Sequence, residues 1–511
     1  MKNYRLTPEK PTEKLDALMR RAGIEFDFPC AGNHTCGKCR VKVSGEFCPA
    51  QPSELAMLSD EDIKNGMRMA CFANVSGPVT VEIPETGRQQ IATDGFGTLR
   101  VSSPMMEEGC CGAAIDIGTT TLVCKVYDSS GVLVGVESEL NAQQAFGADV
   151  ISRINYGIQN GNEKVHEAIV GQIEKMLSRI AARAGIGRAK ITHAVVTGNT
   201  TMMHFFAGLD PKGIGFVPFI PQSLFNTEHR DVLDGITAYI PPCVSAYVGA
   251  DLVCCVLASG MYKKSDTSLI IDIGTNGEMA LMRDGLLHCC STAAGPAFEG
   301  AGISHGMVAA AGAISHVRCE DGRVIADTID NAAPKGICGS GVVDTIAVLI
   351  EQSAILPGGR ICRDDSPLAE MIDDEESAFT FPGCPVAVTQ GDIRQIQLAK
   401  AAISAGVKTL FQACDLTEEA MDVLCLCGGF GSFLNLAAAE TIGLIPENSR
   451  ERTLVLGNGA IMGAAMLLLD ADARNELGAI ISAARYIELS GNDDFMDNYV
   501  EAMSFGELDD E

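Results

Sequence analysis

The sequence predicts an α/β protein: a small N-terminal domain, then a larger two-lobed core made of duplicated halves. Three observations carry this. The strands of the first 85 residues are short and alternate polar with apolar, as in Arg40-Val41-Lys42-Val43 and Val79-Thr80-Val81-Glu82-Ile83. After residue 110 the pattern lengthens into strand and helix segments in succession. Within that stretch Ala114-Ile115-Asp116-Ile117-Gly118-Thr119-Thr120 is echoed by Ile270-Ile271-Asp272-Ile273-Gly274-Thr275-Asn276. Each is an apolar strand ending in Asp-Ile-Gly-Thr. Each is followed by a second strand-like run, Leu122–Val126 and Glu278–Met282. Two hairpins with one turn sequence, more than 150 residues apart, point to related half-domains facing one another. The expected division is 1–85, a linker at 86–110, a first half at 111–265 and a second half at 266–511.

In the N-terminal domain, residues 10–23 read as a helix, with Leu15, Leu18 and Met19 at helical spacing and Gly23 closing it. Pro84 ends the following strand unit. Residues 86–110 lack periodicity. Long helices are expected at 164–184, 392–413 and 459–471.

Composition limits the function. A chain of 511 residues is too long for one compact core. With 47% hydrophobic and 20% charged residues it reads as an ordinary globular protein. A formal charge of −28 repels phosphate backbones, so nucleic acid is excluded as a partner. The acid is spread along the chain and thickens only around Asp493, Asp494, Glu507, Asp509, Asp510 and Glu511. No run of about 18 apolar residues is present, so no membrane span is expected. The N-terminus shows no apolar stretch after its basic residues, so no signal peptide is expected either. The twenty cysteines then read as reduced thiols of a cytoplasmic protein. Many, such as Cys254-Cys255, Cys289-Cys290, Cys425 and Cys427, sit in apolar runs and read as small buried hydrophobes.

Four cysteines stand apart. Cys30, Cys36 and Cys39 follow C-x5-C-x2-C, and Cys71 lies further on in Arg68-Met69-Ala70-Cys71. Three thiolates on one glycine-containing loop can wrap a small cluster, with backbone amides stabilising its negative charge and a distant fourth thiolate closing the cage. The arrangement resembles the plant-type 2Fe–2S spacing with one extra residue in the first gap. A structural zinc site, although Cys71 has no close second ligand, and unligated thiols are the alternatives. Cys48 is a spare, and His34 lies inside the loop.

The twin turns suggest a second chemistry. A strand–turn–strand with Gly and Thr presents amides and hydroxyls to phosphate. An aspartate at the strand end, Asp116 or Asp272, can hold Mg²⁺ through water. Two such turns would clamp a triphosphate from both sides, which supplies most of what phosphoryl transfer needs. The candidate contacts are Gly118, Thr119 and Thr120 in the first turn and Gly274, Thr275, Asn276 and Gly277 in the second. Thr200 of Thr197-Gly198-Asn199-Thr200-Thr201 and the glycines Gly428, Gly429 and Gly431 follow buried strands and complete the set. Neither G-x-x-x-x-G-K-[ST] nor G-x-G-x-x-G occurs. Gly336-Ile337-Cys338-Gly339-Ser340-Gly341 reads as a helix start close to the nucleotide.

Together these residues resemble a known family. The C-terminal 400 residues look like the acetate and sugar kinase/heat-shock chaperone/actin superfamily. There Asp116–Thr120 matches the first phosphate motif, Ile271–Gly277 the second and Gly428–Gly431 the adenosine motif. With the N-terminal cluster loop, the whole chain is similar to the reductive activators of corrinoid proteins. Further similar stretches are Asn141-Ala142-Gln143, Phe146–Arg153, Gly249-Ala250-Asp251, Thr389–Arg394 and Gly457–Ala460. The resemblance implies a β-grasp ferredoxin-like domain and an actin-like ATPase core of two ribonuclease-H-like halves. It implies that ATP drives one electron from a 2Fe–2S cluster onto a corrinoid protein, converting Co(II) to Co(I) in a methyltransferase system. It implies ATP, Mg²⁺ and the cluster as cofactors, an upstream low-potential donor, and it allows a homodimer. An ATP-coupled donor to another acceptor, a small-molecule kinase with a fused ferredoxin and a plain electron carrier remain as alternatives. Two departures are expected. Only about ten residues precede the first helix, so the first sheet edge should be short or missing. The linker also runs almost directly into the core, where longer members carry a middle domain. The loop Ser291–Gly300, running on to Ser304 and His305, is a candidate corrinoid-facing or nucleotide-responsive segment, although packing explains it more simply.

Overall fold

The computed structural model describes all residues except 1, 23, 25–38, 56, 57, 59, 84–98, 321, 365 and 507–511. Two compact units result: Met1–Gly87 with Leu140–Ile169, and Arg88–Glu139 with Val170–Glu511.

In the first unit β1 (Lys2–Leu6), β2 (Arg40–Phe47), β3 (Met67–Met69) and β4 (Asn74–Ile83) form a sheet in the order β1-β4-β2-β3. The two-residue strand Glu13–Lys14 adds to β4. The first edge is present: β1 pairs antiparallel with β4 along its whole length, from Lys2 opposite Ile83 to Leu6 opposite Val79. Among the described side chains of that strand Leu6 alone is buried, so its sequence carries little signal. Helix α1 (Leu15–Arg21) is shorter than expected because Glu13 and Lys14 pair with β4. Its Leu15, Leu18 and Met19 are buried among Val41, Val75, Val79 and Val81. A buried ion pair fixes the region before Cys71. Glu54 is fully buried and takes both Arg68 Nε (2.6 Å) and Nη2 (2.8 Å). It also accepts from Met69 N at 3.1 Å. The Arg68 guanidinium lies 5.5 Å from the Phe47 ring centre. Removing Arg68 strands the buried Glu54 carboxylate, a cost of about 3–5 kcal/mol. In the same unit, α2 (Val150–Asn160) starts with a reciprocal cap between Asp149 and Ser152.

In the second unit β5 (Cys111–Ile117), β6 (Thr121–Asp128), β7 (Leu133–Leu140), β8 (Ile191–Gly198), β9 (Thr227–Leu233) and β10 (Ile236–Ile240) form a sheet in the order β9-β10-β8-β5-β6-β7. A second six-stranded sheet holds β11 (Ser268–Ile273), β12 (Gly277–Arg283), β13 (Leu286–Thr292), β14 (Val423–Cys427), β15 (Thr453–Gly457) and β16 (Ala484–Tyr486) in the order β15-β14-β11-β12-β13-β16. The wiring repeats. β5 pairs antiparallel with β6 and parallel with β8. β11 pairs antiparallel with β12 and parallel with β14. The repeated sequence is therefore a repeated topology. β5 and β11 are buried along most of their length because a strand flanked by two others, with helices on the faces, must be apolar on both sides.

Between the sheets lies a core that includes Ala114, Val195, Ile270, Ala280, Cys255, Cys425 and Cys427. The cysteines here are buried, as their apolar runs predict. α4 (Ala250–Ser259) belongs to this core, as does the helix Gly459–Leu469 further on. At Gly463 a Cβ would lie 2.2 Å from the Cys254 carbonyl, so only glycine lets the two backbones approach so closely. α3 (Thr200–Ala207) starts on Asn199, whose side chain accepts from Met202 N at 3.0 Å. α5 (Gly339–Glu351), α6 (Gln390–Gln412) and α7 (Gly459–Leu469) complete the frame of the site. The long helices expected from periodicity occur at Glu163–Ala184, Gln390–Gln412 and Gly459–Leu469, with Ala471–Ala483 following as a separate helix. Among the described residues no helix is long and apolar enough to cross a membrane.

Candidate functional site

The ends of β5 and β11 open into one cleft of about 1320 Å³, its solvent-open mouth included. Its walls bring together Asp116, Gly118, Thr119 and Thr120 from the first turn with Asp272, Gly274, Thr275 and Asn276 from the second. Gly428 and Gly429 line it, as do Cys338, Gly339 and Ser340 at the start of α5. Three expected contacts do not line it. Thr200 turns its hydroxyl to the Ser245 carbonyl at 2.6 Å, and its neighbour Asn199 reaches the cleft instead. Gly277 underlies the turn, where its carbonyl accepts from Thr292 Oγ1 at 3.3 Å. Gly431 is buried at the end of its short turn.

Four carboxylates converge here, the buried Glu278 with the half-buried Asp116, Asp251 and Asp272. Burial pushes Asp116 up to about 7 against a hydrogen bond from Asn458, with the nearby Asp251 adding to the rise. Burial also pushes Asp272 up to about 7, helped by Asp251 and Asp116. Asp251 and Glu278 share a hydrogen bond, and burial followed by repulsion from Asp251 drives Glu278 well above the carboxylate range. One of the pair keeps the proton, since two desolvated carboxylates cannot both ionise in contact. Glu278 Oε1 is buried with no hydrogen-bond partner. Among the described residues that line the cleft, none is lysine or arginine. The charged side chains a triphosphate would meet there are all negative, so a divalent cation would be needed to join carboxylate and phosphate oxygens.

Asparagines orient these groups. Asn458, the cap of α7, donates from Nδ2 to Asp116 Oδ2 at 2.9 Å and accepts from Ile461 N at 2.9 Å. Asn199 donates to Thr119 Oγ1 at 3.1 Å. The threonines of the two turns also meet one acceptor. Thr120 Oγ1 donates to Glu299 Oε2 at 2.6 Å, and Thr275 Oγ1 donates to Glu299 Oε1 at 2.9 Å. Phe430, beside Gly428, stacks on Phe298 with ring centres 4.9 Å apart.

Gly428 shows how tightly the cleft is built. Its φ is +90°, and a Cβ there would lie 2.5 Å from Asp272 Oδ1 and 2.6 Å from the Ile273 carbonyl. Gly428→Ala should cost about 2–3 kcal/mol of stability and weaken nucleotide binding at least about tenfold, as measured by thermal melting and calorimetric titration.

In the first unit the structure sets Cys39 and Cys71 side by side. Both are buried, their sulfurs 3.1 Å apart, and Cys71 N donates to Cys39 Sγ at 3.4 Å. An amide aimed at sulfur stabilises thiolate charge, so the pair fits an iron–sulfur ligand set. Cys30, Cys36 and His34 lie outside the described residues.

Three family models match the chain. They are the 2Fe-2S iron–sulfur cluster binding domain over residues 3–76, the RACo middle region over 111–264 and the C-terminal domain of RACo, the ASKHA domain, over 266–511. A corrinoid activation enzyme, RamQ, of Eubacterium limosum is 34% identical over 430 residues, 80% of this chain and 72% of that protein. This chain belongs to the reductive activators of corrinoid proteins. A solved structure, a reductive activator for corrinoid, iron–sulfur protein, is 31% identical with a TM-score of 0.70 and covers 98% of both chains. The [Co(II) methylated amine-specific corrinoid protein] reductase of Methanosarcina barkeri is 23% identical, over 74% of this chain and 72% of that one.

The family assignment supports 2Fe–2S over zinc at the cysteine loop and ATP at the cleft. It overturns one expectation. A middle region is not missing, because residues 111–264 match it. That region forms the first six-stranded sheet and repeats the wiring of the second, so its sequence reads as half of a duplicated core. Sequence reasoning singled out none of Asn199, Asp251, Glu278, Glu299 and Asn458 as lining residues; all entered it only inside longer stretches. The start of α5 was expected close to the nucleotide, and it lines the cleft.

Proposed function

We propose that this chain couples ATP to the transfer of one electron from a 2Fe–2S cluster to the cobalt of a corrinoid protein, converting Co(II) to Co(I). The observation that carries this is the presence in one chain of the adjoining Cys39 and Cys71 thiols and of a cleft gripped by two Asp-Ile-Gly-Thr turns. Cys30, Cys36, Cys39 and Cys71 would hold the cluster, which when bound supplies a single low-potential electron, near about −400 mV for plant-type centres.

Reduction of Co(II) is uphill from such a potential. ATP helps only if its binding and hydrolysis favour one protein conformation over another. Within the cleft Asp116 and Asp272 would hold Mg²⁺, which when bound would neutralise phosphate charge. Gly118, Thr119, Thr120, Gly274, Thr275 and Asn276 offer amides and hydroxyls to the phosphates. Gly428 and Gly429 would let the adenosine approach the backbone, while Thr200, Gly277 and Gly431 lie outside the cleft lining. The reading keeps the division at 1–85, 86–110, 111–265 and 266–511. It places the protein in the cytoplasm, supplied by a low-potential donor and allowed to act as a homodimer.

The test follows the corrinoid absorption spectrum. Protein, low-potential reductant, MgATP and a Co(II) corrinoid protein together should give Co(I). Omitting any one, or chelating Mg²⁺ with EDTA, should stop it. Equal Co(I) formation without nucleotide would refute the coupling.

A further inference from the structure

We propose that Glu299 is the positioning residue through which the cleft registers the γ-phosphate, because its carboxylate and that phosphate compete for the same two protons. The inference rests on the ATP reading above and adds to it the residue that senses the nucleotide.

A threonine hydroxyl has one proton to donate. The Thr120 proton goes to Glu299 Oε2 at 2.6 Å and the Thr275 proton to Glu299 Oε1 at 2.9 Å. The two hydroxyl oxygens are 3.2 Å apart. One carboxylate thus bridges the phosphate turns of both halves. A terminal phosphate seated between those turns needs the same two donors. Carboxylate and phosphate are both anions, so they cannot share the protons, and close approach is repulsive. Binding one releases the other.

Release of Glu299 acts on a defined segment. Glu299 ends the short turn Pro296–Glu299, and Gly300 follows with φ +78°. The turn is anchored on its other side. Phe298 stacks on Phe430, and its carbonyl lies where a Cβ of Gly339 would come within 1.8 Å. Downstream, Ala301 N donates to Pro296 O at 3.1 Å and Met307 N to Ile337 O at 2.9 Å. Ser304 N donates to Asp392 Oδ1 at 2.7 Å. Ser304 and His305 are exposed beyond these bonds. Loss of the Glu299 bridge removes a side-chain tether to both turns, while Gly295 N still donates to the Thr275 carbonyl at 3.0 Å, so triphosphate binding loosens the segment downstream of Glu299.

The test uses the full cluster-loaded chain and the non-hydrolysable analogue AMPPNP. Calorimetric titration should show Glu299→Ala binding AMPPNP at least about fivefold more tightly than wild type, since one competing acceptor is gone. Glu299→Gln, which keeps one acceptor oxygen, should fall between. Amide hydrogen exchange at Ala301 and Met307 should rise in wild type on adding AMPPNP, and should already be raised in Glu299→Ala without it. Weaker or equal binding in Glu299→Ala, or unchanged exchange in wild type with AMPPNP bound, overturns the inference while leaving the ATP reading standing. No binding of AMPPNP to wild type sinks both.

Discussion

Asp272→Ala should lower ATP-dependent Co(I) formation by at least about 100-fold, the usual cost of losing one group that stabilises transferring charge. Asp272 ends the central strand of the second sheet, where it pairs in register with Glu278 and Cys427. Its carboxylate lines the cleft with Asp116 and Asp251. On the proposed reading, a divalent cation would lose one of its two anchoring carboxylates in the variant. The fold should not suffer. Burial raises the folded pKa from 3.8 to about 7, so the charged form costs stability progressively as pH climbs through that window. At neutral pH its removal relieves a few kcal/mol of desolvation and repulsion, more than the small cavity left behind. Melting temperature should therefore hold or rise, and the visible spectrum of the cluster should be unchanged. Undiminished Co(I) formation would remove Asp272 from the mechanism.

Cys71→Ala should do the reverse. Visible absorbance, iron content and Co(I) formation should all be lost, while AMPPNP affinity stays within about twofold of wild type. The thiol is buried 3.1 Å from Cys39 Sγ, so a missing sulfur there cannot be replaced by a surface group. Cys48→Ala is the control. Cys48 is half-buried, with its amide donating to the Asn74 carbonyl at 2.9 Å, and iron content should not change. Full iron retention in Cys71→Ala would exclude it as a ligand.

The parts of the site legible in the sequence are those carried by short contiguous segments. The two Asp-Ile-Gly-Thr turns announce themselves because strand, turn and acid are neighbours in the chain. So does the glycine pair after β14. The rest of the cleft is assembled from a distance. Asp251 comes from the start of α4, Glu299 from a loop and Asn458 from the cap of α7, and no spacing rule links them to Asp116. Thr200 misleads for a local reason. A threonine at a helix start resembles a phosphate contact, but Asn199 makes the cap and faces the cleft while Thr200 turns inward. The first edge strand is hidden because, of its described side chains, Leu6 alone is buried.

The grouping of Leu140–Ile169 with Met1–Gly87 has a practical consequence for anyone wishing to excise the electron-carrying part. The polypeptide leaves that unit after Gly87, re-enters at Leu140 and leaves again after Ile169. A fragment ending near residue 87 would lack the thirty-residue return segment, including the capped helix Val150–Asn160. Storage and motor are thus stitched by three passes of the backbone, and a single proteolytic nick would not free an intact half.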